Sequence, residues 1–484
     1  MDKRSVVLIN PPMTLEDRYG KEMKQFGAVS EPLGLAYIAG YLENNNVPVR
    51  IIDAPAQQMS AEQIVSDIGL ANDNIVGISI LTTTFSVVKD LCRSIKNAIP
   101  HCMIVLGGPH STVLPERTLE EILEADIACI GEGELTMAAI AQCEDDNNIN
   151  HIEGICYRRN GEIIRNPDRP FIRNLDEIPP PARHFLPMDR YHLTASRVSG
   201  DTFCPTIIVA RGCPFKCSYC SRTFGRTFRA HSIERIVEEI KDLIQTYQIR
   251  QINIEADTLT VKKTFLRDLC HAIIENGIQR KIKWTCESRV DTIDADMLKL
   301  MRQAGCWQIS YGVETGSQRL LNLINKGVTL TQVEQAFRLT KKAGISIRGF
   351  FMLGLPTETR QESFETIAFA KKIDPLWAQF TITVPYPGTQ MFDELDRAGQ
   401  IRTYDWRCYN TWSGWKGEEE IPFIPEGRTI KELAEMQKMA LRSFYLRPSI
   451  IWKFIKTIRS PQDVQKYFNG FMVLLRSAFV GSSS

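Results

Sequence analysis

The 484-residue chain carries 58 Lys and Arg against 57 Asp and Glu, a net charge of +1, with 43 % hydrophobic and 24 % charged residues. This balance excludes a disordered chain and offers no basic excess to draw a nucleic-acid partner. The length exceeds what one core organises, so two or three domains are expected. No signal-peptide pattern opens the sequence and no apolar run reaches membrane-spanning length, so a cytoplasmic location is expected. There the thirteen cysteines would serve metals or packing rather than disulfides.

The first third alternates strand and helix patterns. Strands are predicted at 5–10, 49–53, 75–81, 103–106 and 127–130, and helices at 32–43, 60–70, 85–98 and 114–123. This pitch argues a doubly wound, Rossmann-like parallel sheet, which binds ligands beyond the carboxyl ends of its strands. Glycines and small hydroxyl residues gather there, leaving room for a bulky ligand. No G-x-G-x-x-G follows the first strand, which disfavours a dinucleotide.

The motifs Asn10-Pro11-Pro12, Glu31-Pro-Leu-Gly-Leu35, Leu106-Gly-Gly-Pro-His110 and Gly131-Glu-Gly-Glu134 make residues 1–140 resemble the cobalamin-binding domain found ahead of radical S-adenosylmethionine (SAM) domains. The resemblance implies cobalamin contacts from Asn10, Pro11, Leu33, Gly34, Ser79, Thr82, Thr83, Gly107, Gly108, Pro109, His110, Gly131, Glu132 and Gly133. The Asp-x-His-x-x-Gly motif does not occur, so the resemblance implies cobalamin whose lower face is not held by that histidine. His110 reads as a loop histidine at a strand end. A sheet that has kept the fold and lost the cofactor is the alternative.

Residues 141–194 read as a linker. Asn160-Gly161 between two strand-like runs signals a hairpin, and Pro179-Pro180-Pro181 a stiff connector. A further domain is expected over 195–398.

That domain opens on a predicted strand at 206–210, followed by Arg211-Gly-Cys-Pro-Phe-Lys-Cys-Ser-Tyr-Cys220. Cys213, Cys217 and Cys220 have a C-x₃-C-x₂-C spacing. A [4Fe–4S] cube normally takes four thiolates, so three suggest a cube with one open iron. A zinc site or three packing cysteines are the alternatives; zinc motifs usually pair two C-x₂-C units, and only one is present. The loop resembles that of the radical SAM superfamily, which implies SAM on the open iron and Tyr219 near its adenine.

Six strands are predicted between about 205 and 390, the partial (β/α)6 barrel the resemblance leads one to expect. It further implies SAM contacts from Glu255 and Asp257 to the amino group, and from Ser288, Arg289 and Glu314 to carboxylate or ribose. Arg348, early in the fifth strand, joins this set. Each could equally be a fold-stabilising ion pair.

Residues 399–484 read as an aromatic and basic helical extension. Tyr386, Trp406 and Trp412 are candidates for a lid over a hydrophobic, lipid- or tetrapyrrole-like small molecule; a cap on the barrel is the bland reading. Residues 438–480 carry eight Lys and Arg and one acid among many apolar residues. Such a stretch suits either a docked helical extension or a peripheral contact with the inner face of a membrane. The resemblance implies a methyltransferase or carbon–carbon bond-forming enzyme that draws electrons from a donor such as flavodoxin or ferredoxin. A radical oxidative cyclase and a cobalamin- or cluster-sensing regulatory protein are the alternatives.

Overall fold

The computed structural model describes residues 4–19, 27–71, 75–143, 146–199, 203–221, 223–411, 420–458 and 464. The first sheet contains β1 (Val6–Asn10), β2 (Val49–Asp53), β3 (Ile75–Ser79), β4 (Met103–Gly107) and β5 (Ile127–Cys129). They run parallel in the order β2-β1-β3-β4-β5. Their apolar runs are nearly continuous because helices cover both faces. Helices Leu33–Asn44 and Gly133–Gln142 share one core with the sheet, while Ala61–Ala71 and Phe85–Ala98 share another.

Two expectations change here. The predicted helix at 114–123 is confined to Pro115–Glu121, and a short helix the sequence reading lacked, Pro109–Val113, precedes it, the two being separate because Pro115 has no N–H to continue the first. The Asn160-Gly161 hairpin forms, but it is not a free linker. Its strands β6 (Ile155–Arg159) and β7 (Glu162–Arg165) add antiparallel to β5 and extend the first sheet. An edge strand left open would otherwise expose unpaired backbone.

The second sheet has the order β14-β13-β12-β11-β10-β8-β9. Six strands are parallel: β8 (Thr206–Arg211), β10 (Gln251–Ala256), β11 (Lys283–Ser288), β12 (Cys306–Glu314), β13 (Ser346–Leu353) and β14 (Trp377–Ile382). The two-residue β9 (Arg229–Ala230) pairs antiparallel with β8. The sheet keeps two edges, so it does not close on itself. Helices such as Ile233–Tyr247 bury one apolar stripe, Ile236, Val237, Ile240 and Leu243, against it. The Ser232 side chain caps that helix by accepting from the Arg235 N–H. Helix Ile430–Tyr445 covers the β14 edge: Gln437 donates to the Phe380 carbonyl, and the Tyr445 hydroxyl bonds both backbone groups of Ala378.

The carboxyl ends of the two sheets face each other. The turn after β14 packs on the helix after β4 so closely that a Cβ on Gly388, whose φ is +77°, would lie 2.3 Å from Val113. Tyr386 and Trp406 continue this contact into the first sheet's core. Trp406, a lid candidate, is 2 % exposed and packs on His110 and Phe85, with its Nε1 donating to Glu121. It is a packing residue and not a lid. Trp412 lies outside the described residues.

Among the described residues no helix is long and apolar enough to cross a membrane. The basic extension breaks at Pro448 into helices Ile430–Tyr445 and Pro448–Thr457, and residues 459–484 lie almost wholly outside the described residues.

His110 is fully buried, and burial with the Arg117 charge lowers its pKa from 6.5 to about 4. The unfolded chain therefore binds the extra proton between those values. Stability from this group is present above pH 6.5 and lost as pH falls toward about 4, a contribution of about 3 kcal/mol. Urea unfolding across that window should show a shallower decline in His110→Phe than in the parent chain.

Candidate active site at the facing sheet ends

The cysteine loop leaves β8 through Gly212, whose φ is +89° and whose added Cβ would stand 2.1 Å from the Thr227 carbonyl. Only glycine fits that turn. Asp257 accepts from the Gly212 N–H at 2.6 Å, and the Ser218 backbone bonds to Ile324 and Met391. Cys213 lies 3.4 Å from the Thr258 hydroxyl. The Cys220 thiol is pushed up to about 11, first by burial and then by the charges of Cys217 and Cys213. Cys217 and Cys213 are thus close enough to oppose the ionisation of Cys220, a conflict that a bound cation would remove. Among the described residues no three His, Cys, Asp or Glu side chains stand at metal-holding separation.

Tyr219 is tied into a triangle. Its hydroxyl donates to Glu314 Oε1 at 2.8 Å and accepts from Lys326 Nζ at 2.8 Å, while Lys326 pairs with Glu314 at 2.7 Å. Glu314 adopts φ +69°, an uncommon conformation for a residue with a side chain. Arg289 reaches the Cys217 sulfur at 3.4 Å. Glu314 and Arg289, expected on SAM, are therefore both occupied by the cysteine loop.

Glu255 and Asp257 are exposed, yet desolvation is the first cause of their raised pKa values. Cys220 has the same double character. Solvent reaches these groups although protein surrounds them closely. Glu287, which pairs with Arg197 at 2.7 Å, adds to the upward shift of Glu255. Two of the expected set stand apart. Ser288 is buried with its hydroxyl on Thr260 and the Arg289 carbonyl. Arg348, the third residue of β13, bonds Gln379 well short of the strand's carboxyl end.

On the opposite side, a Cβ on Gly34 or Gly131 would meet nothing within 4 Å, and Pro109 is exposed. Leu33 and Pro11 are buried beside this space, and Ser79, Thr83 and Gly107 are half-buried. Gly108, at φ +120°, packs on the Ile80 carbonyl, and Gly133 lies against Ile38. Three expected contacts are spent elsewhere. Asn10 donates to Asp53 at 2.8 Å, and Thr82 holds His110 Nδ1 at 3.1 Å. Glu132 accepts from Arg211, Arg229 and the Ile172 N–H.

That last contact has a counterpart. Arg211, the residue before the cysteine loop, takes Glu132 with one arm at 2.9 Å and Glu134 with the other. At the other end of β8, Glu31 accepts from the Thr206 N–H at 2.9 Å and pairs with Arg183, which also pairs with Glu239. Residue types alone did not reveal Arg211, Arg229, Arg183, Glu31 or Lys326, because their partners are distant in sequence.

The radical SAM superfamily profile matches residues 207–370, and the B12 binding domain profile matches residues 23–141. An uncharacterized methyltransferase of Pyrococcus horikoshii is 36 % identical over 432 residues, 89 % of this chain and 91 % of its own length. The chain belongs to the cobalamin-dependent radical SAM enzymes. An anaerobic magnesium-protoporphyrin IX monomethyl ester cyclase of Cereibacter sphaeroides is 27 % identical, over 87 % of this chain and 68 % of its own. The fold is shared with the radical SAM methyltransferase TsrM of Kitasatospora setae, solved with cobalamin and a [4Fe–4S] cluster: TM-score 0.72 at 15 % identity, covering 93 % and 92 % of the two chains. The family's cofactors are a [4Fe–4S] cluster, SAM and cobalamin. The residues fit them: Cys213, Cys217 and Cys220 on one loop, with Arg289 at the Cys217 sulfur, suit a cluster, and the open space at Gly34 and Gly131 leaves room for a large ring.

Glu132→Ala would leave Arg211 and Arg229 buried without that carboxylate. A loss of about 3–5 kcal/mol is expected, read as a lower urea midpoint by circular dichroism.

Proposed function

We propose that the protein transfers a methyl group to an unactivated carbon of a hydrophobic small molecule. The observation that carries this reading is the meeting of two sheets: the carboxyl ends of a cobalamin-type sheet and of a radical SAM sheet face each other, joined by the Arg211–Glu132 pair and the packing of Gly388 on Val113. The methyltransferase name of the relative with 36 % identity supports it. When bound, the cluster and SAM supply hydrogen-atom abstraction and cobalamin supplies a transferable methyl group.

The chain's own share is binding, orientation and exclusion of water. Asp257 fixes the entry of the cysteine loop, and the Tyr219–Glu314–Lys326 triangle fixes its exit. Glu255, desolvated and beside Glu287, favours a cationic partner, which suits the ammonium of SAM. Glu31, Glu132 and Glu134 hold the two domains in one orientation, so that the two reactive groups can meet over a short span. Electrons are proposed to come from a flavodoxin- or ferredoxin-type donor.

A second reading, oxidative cyclisation, is favoured by the cyclase relative spanning 87 % of this chain. The regulatory-protein alternative is set aside by membership in an enzyme family. We also assign a peripheral membrane contact to helix Pro448–Thr457. Its Ile451, Trp452 and Ile455 are exposed, and Lys456 lies over the Trp452 ring.

Anaerobic reconstitution with iron, sulfide and hydroxocobalamin should yield about four irons and one cobalt per chain. A Cys213/Cys217/Cys220→Ala variant should lose the iron alone. With SAM, reductant and candidate substrates, a product heavier by one CH₂ supports methyl transfer, whereas loss of two hydrogens or a new ring overturns it in favour of cyclisation. Flotation with anionic vesicles should carry the full chain up in low salt and fail for Trp452→Glu; no flotation of the parent chain would remove the membrane assignment.

A further inference from the structure

We infer that Arg289 tunes the reduction potential of the cluster by donating a charged hydrogen bond to the sulfur of Cys217. Arg289 Nη1 stands 3.4 Å from Cys217 Sγ, and both residues are buried. The other two thiols meet neutral groups: Cys213 the Thr258 hydroxyl, and Cys220 the Ser221 carbonyl. Among the described residues, Cys217 is therefore the one thiol of the three given a hydrogen bond from a cation.

The arginine is held in one pose. Its Nε and Nη2 make a forked pair with Asp291, both bonds at 2.9 Å. Nη2 also donates to the Lys326 carbonyl at 2.7 Å, and the guanidinium lies 3.7 Å from the Phe215 ring centre. These contacts use three of the five N–H donors, and the bond to Cys217 uses a fourth. A side chain offered mainly to a passing ligand would keep more of its donors open. The fork also sets direction. Asp291 lies on the side of Nε, so the positive end of the pair points at the sulfur and its negative end away.

Reduction adds one electron to the cluster, taken from an external reductant, and no bond forms or breaks. The added negative charge spreads onto the sulfur ligands. An N–H donor and a positive charge at one of those sulfurs stabilise the reduced state more than the oxidised one, and weak screening in a buried site enlarges the difference. Arg289 thus makes the cluster easier to reduce. It acts through Cys217 and is a positioning residue in that sense.

This inference rests on Cys213, Cys217 and Cys220 holding the cluster, and iron analysis tests that separately. The experiment uses the reconstituted full chain without SAM, titrated with reductant at set potentials and followed by electron paramagnetic resonance. Arg289→Gln should lower the equilibrium constant for reduction at least tenfold, a shift of about 59 mV to more negative potential for a one-electron couple. Arg289→Lys, which keeps the charge and loses the fork, should fall between the two. An unchanged potential in an Arg289→Gln protein with full iron content would overturn the inference and leave the cluster assignment standing. Failure of the parent chain to bind iron would overturn both. Should the glutamine variant not fold, the parent protein labelled with ¹⁵N-arginine answers instead. A weak ¹⁵N coupling to the reduced cluster is expected, and its absence overturns the proposal.

Discussion

Strand β8 is held at both ends by carboxylates from the starts of helices that flank the other sheet. Glu31 takes the N–H of its first residue, Thr206, and Glu132 with Glu134 takes the guanidinium of its last, Arg211. Burying these ions costs several kcal/mol each, and their attraction offsets that only when the geometry is good. Burial accordingly pushes the pKa values of Glu31 and Glu239 up, while Arg183 between them pulls both down. Contacts of this kind add little net stability compared with an apolar seam. What they supply is discrimination, since any other docking of the two domains would leave charges buried and unpaired. The strand so fixed is the one that delivers the cysteines.

The cysteine loop inherits this precision. Four elements restrain it: Asp257 after β10, Arg289 after β11, Glu314 ending β12, and the Lys326 segment beyond. The first three come from carboxyl ends, because parallel strands with their helices on the outside converge there. The unusual backbone of Glu314 fits the same logic. At φ +69° its carboxylate reaches both Tyr219 and Lys326, and a local cost of about 1–3 kcal/mol is tolerated where three groups depend on it. Glu255, exposed and beside the Arg197-paired Glu287, is the acid of this group placed to meet a ligand.

Reading motifs for their residue types gave steric expectations that the backbone permits: Gly34 and Gly131 border open space, which leaves room for a ligand. It failed where the role was ionic. Glu132 of Gly131-Glu-Gly-Glu134 looks like a ligand contact in sequence, yet it and Glu134 are both used on Arg211. His110 and Trp406, polar and aromatic residues in suggestive places, pack against each other at 5.1 Å in a core. The hairpin at 160–161 was visible in its turn residues, but not that β5 would need its edge covered.

The sequence by itself determined what depends on local spacing. The strand positions come from apolar runs of fixed length, and the two-domain order from their alternation with helices. The cluster loop comes from three thiols within eight residues, which share one site whatever the rest of the chain does. The tertiary structure alone decided which charges meet. Arg211 and Glu132 are 79 residues apart, and Arg183 and Glu31 are 152 apart. No periodicity links such pairs. They are selected only when two sheets dock and every buried ion has to find a partner.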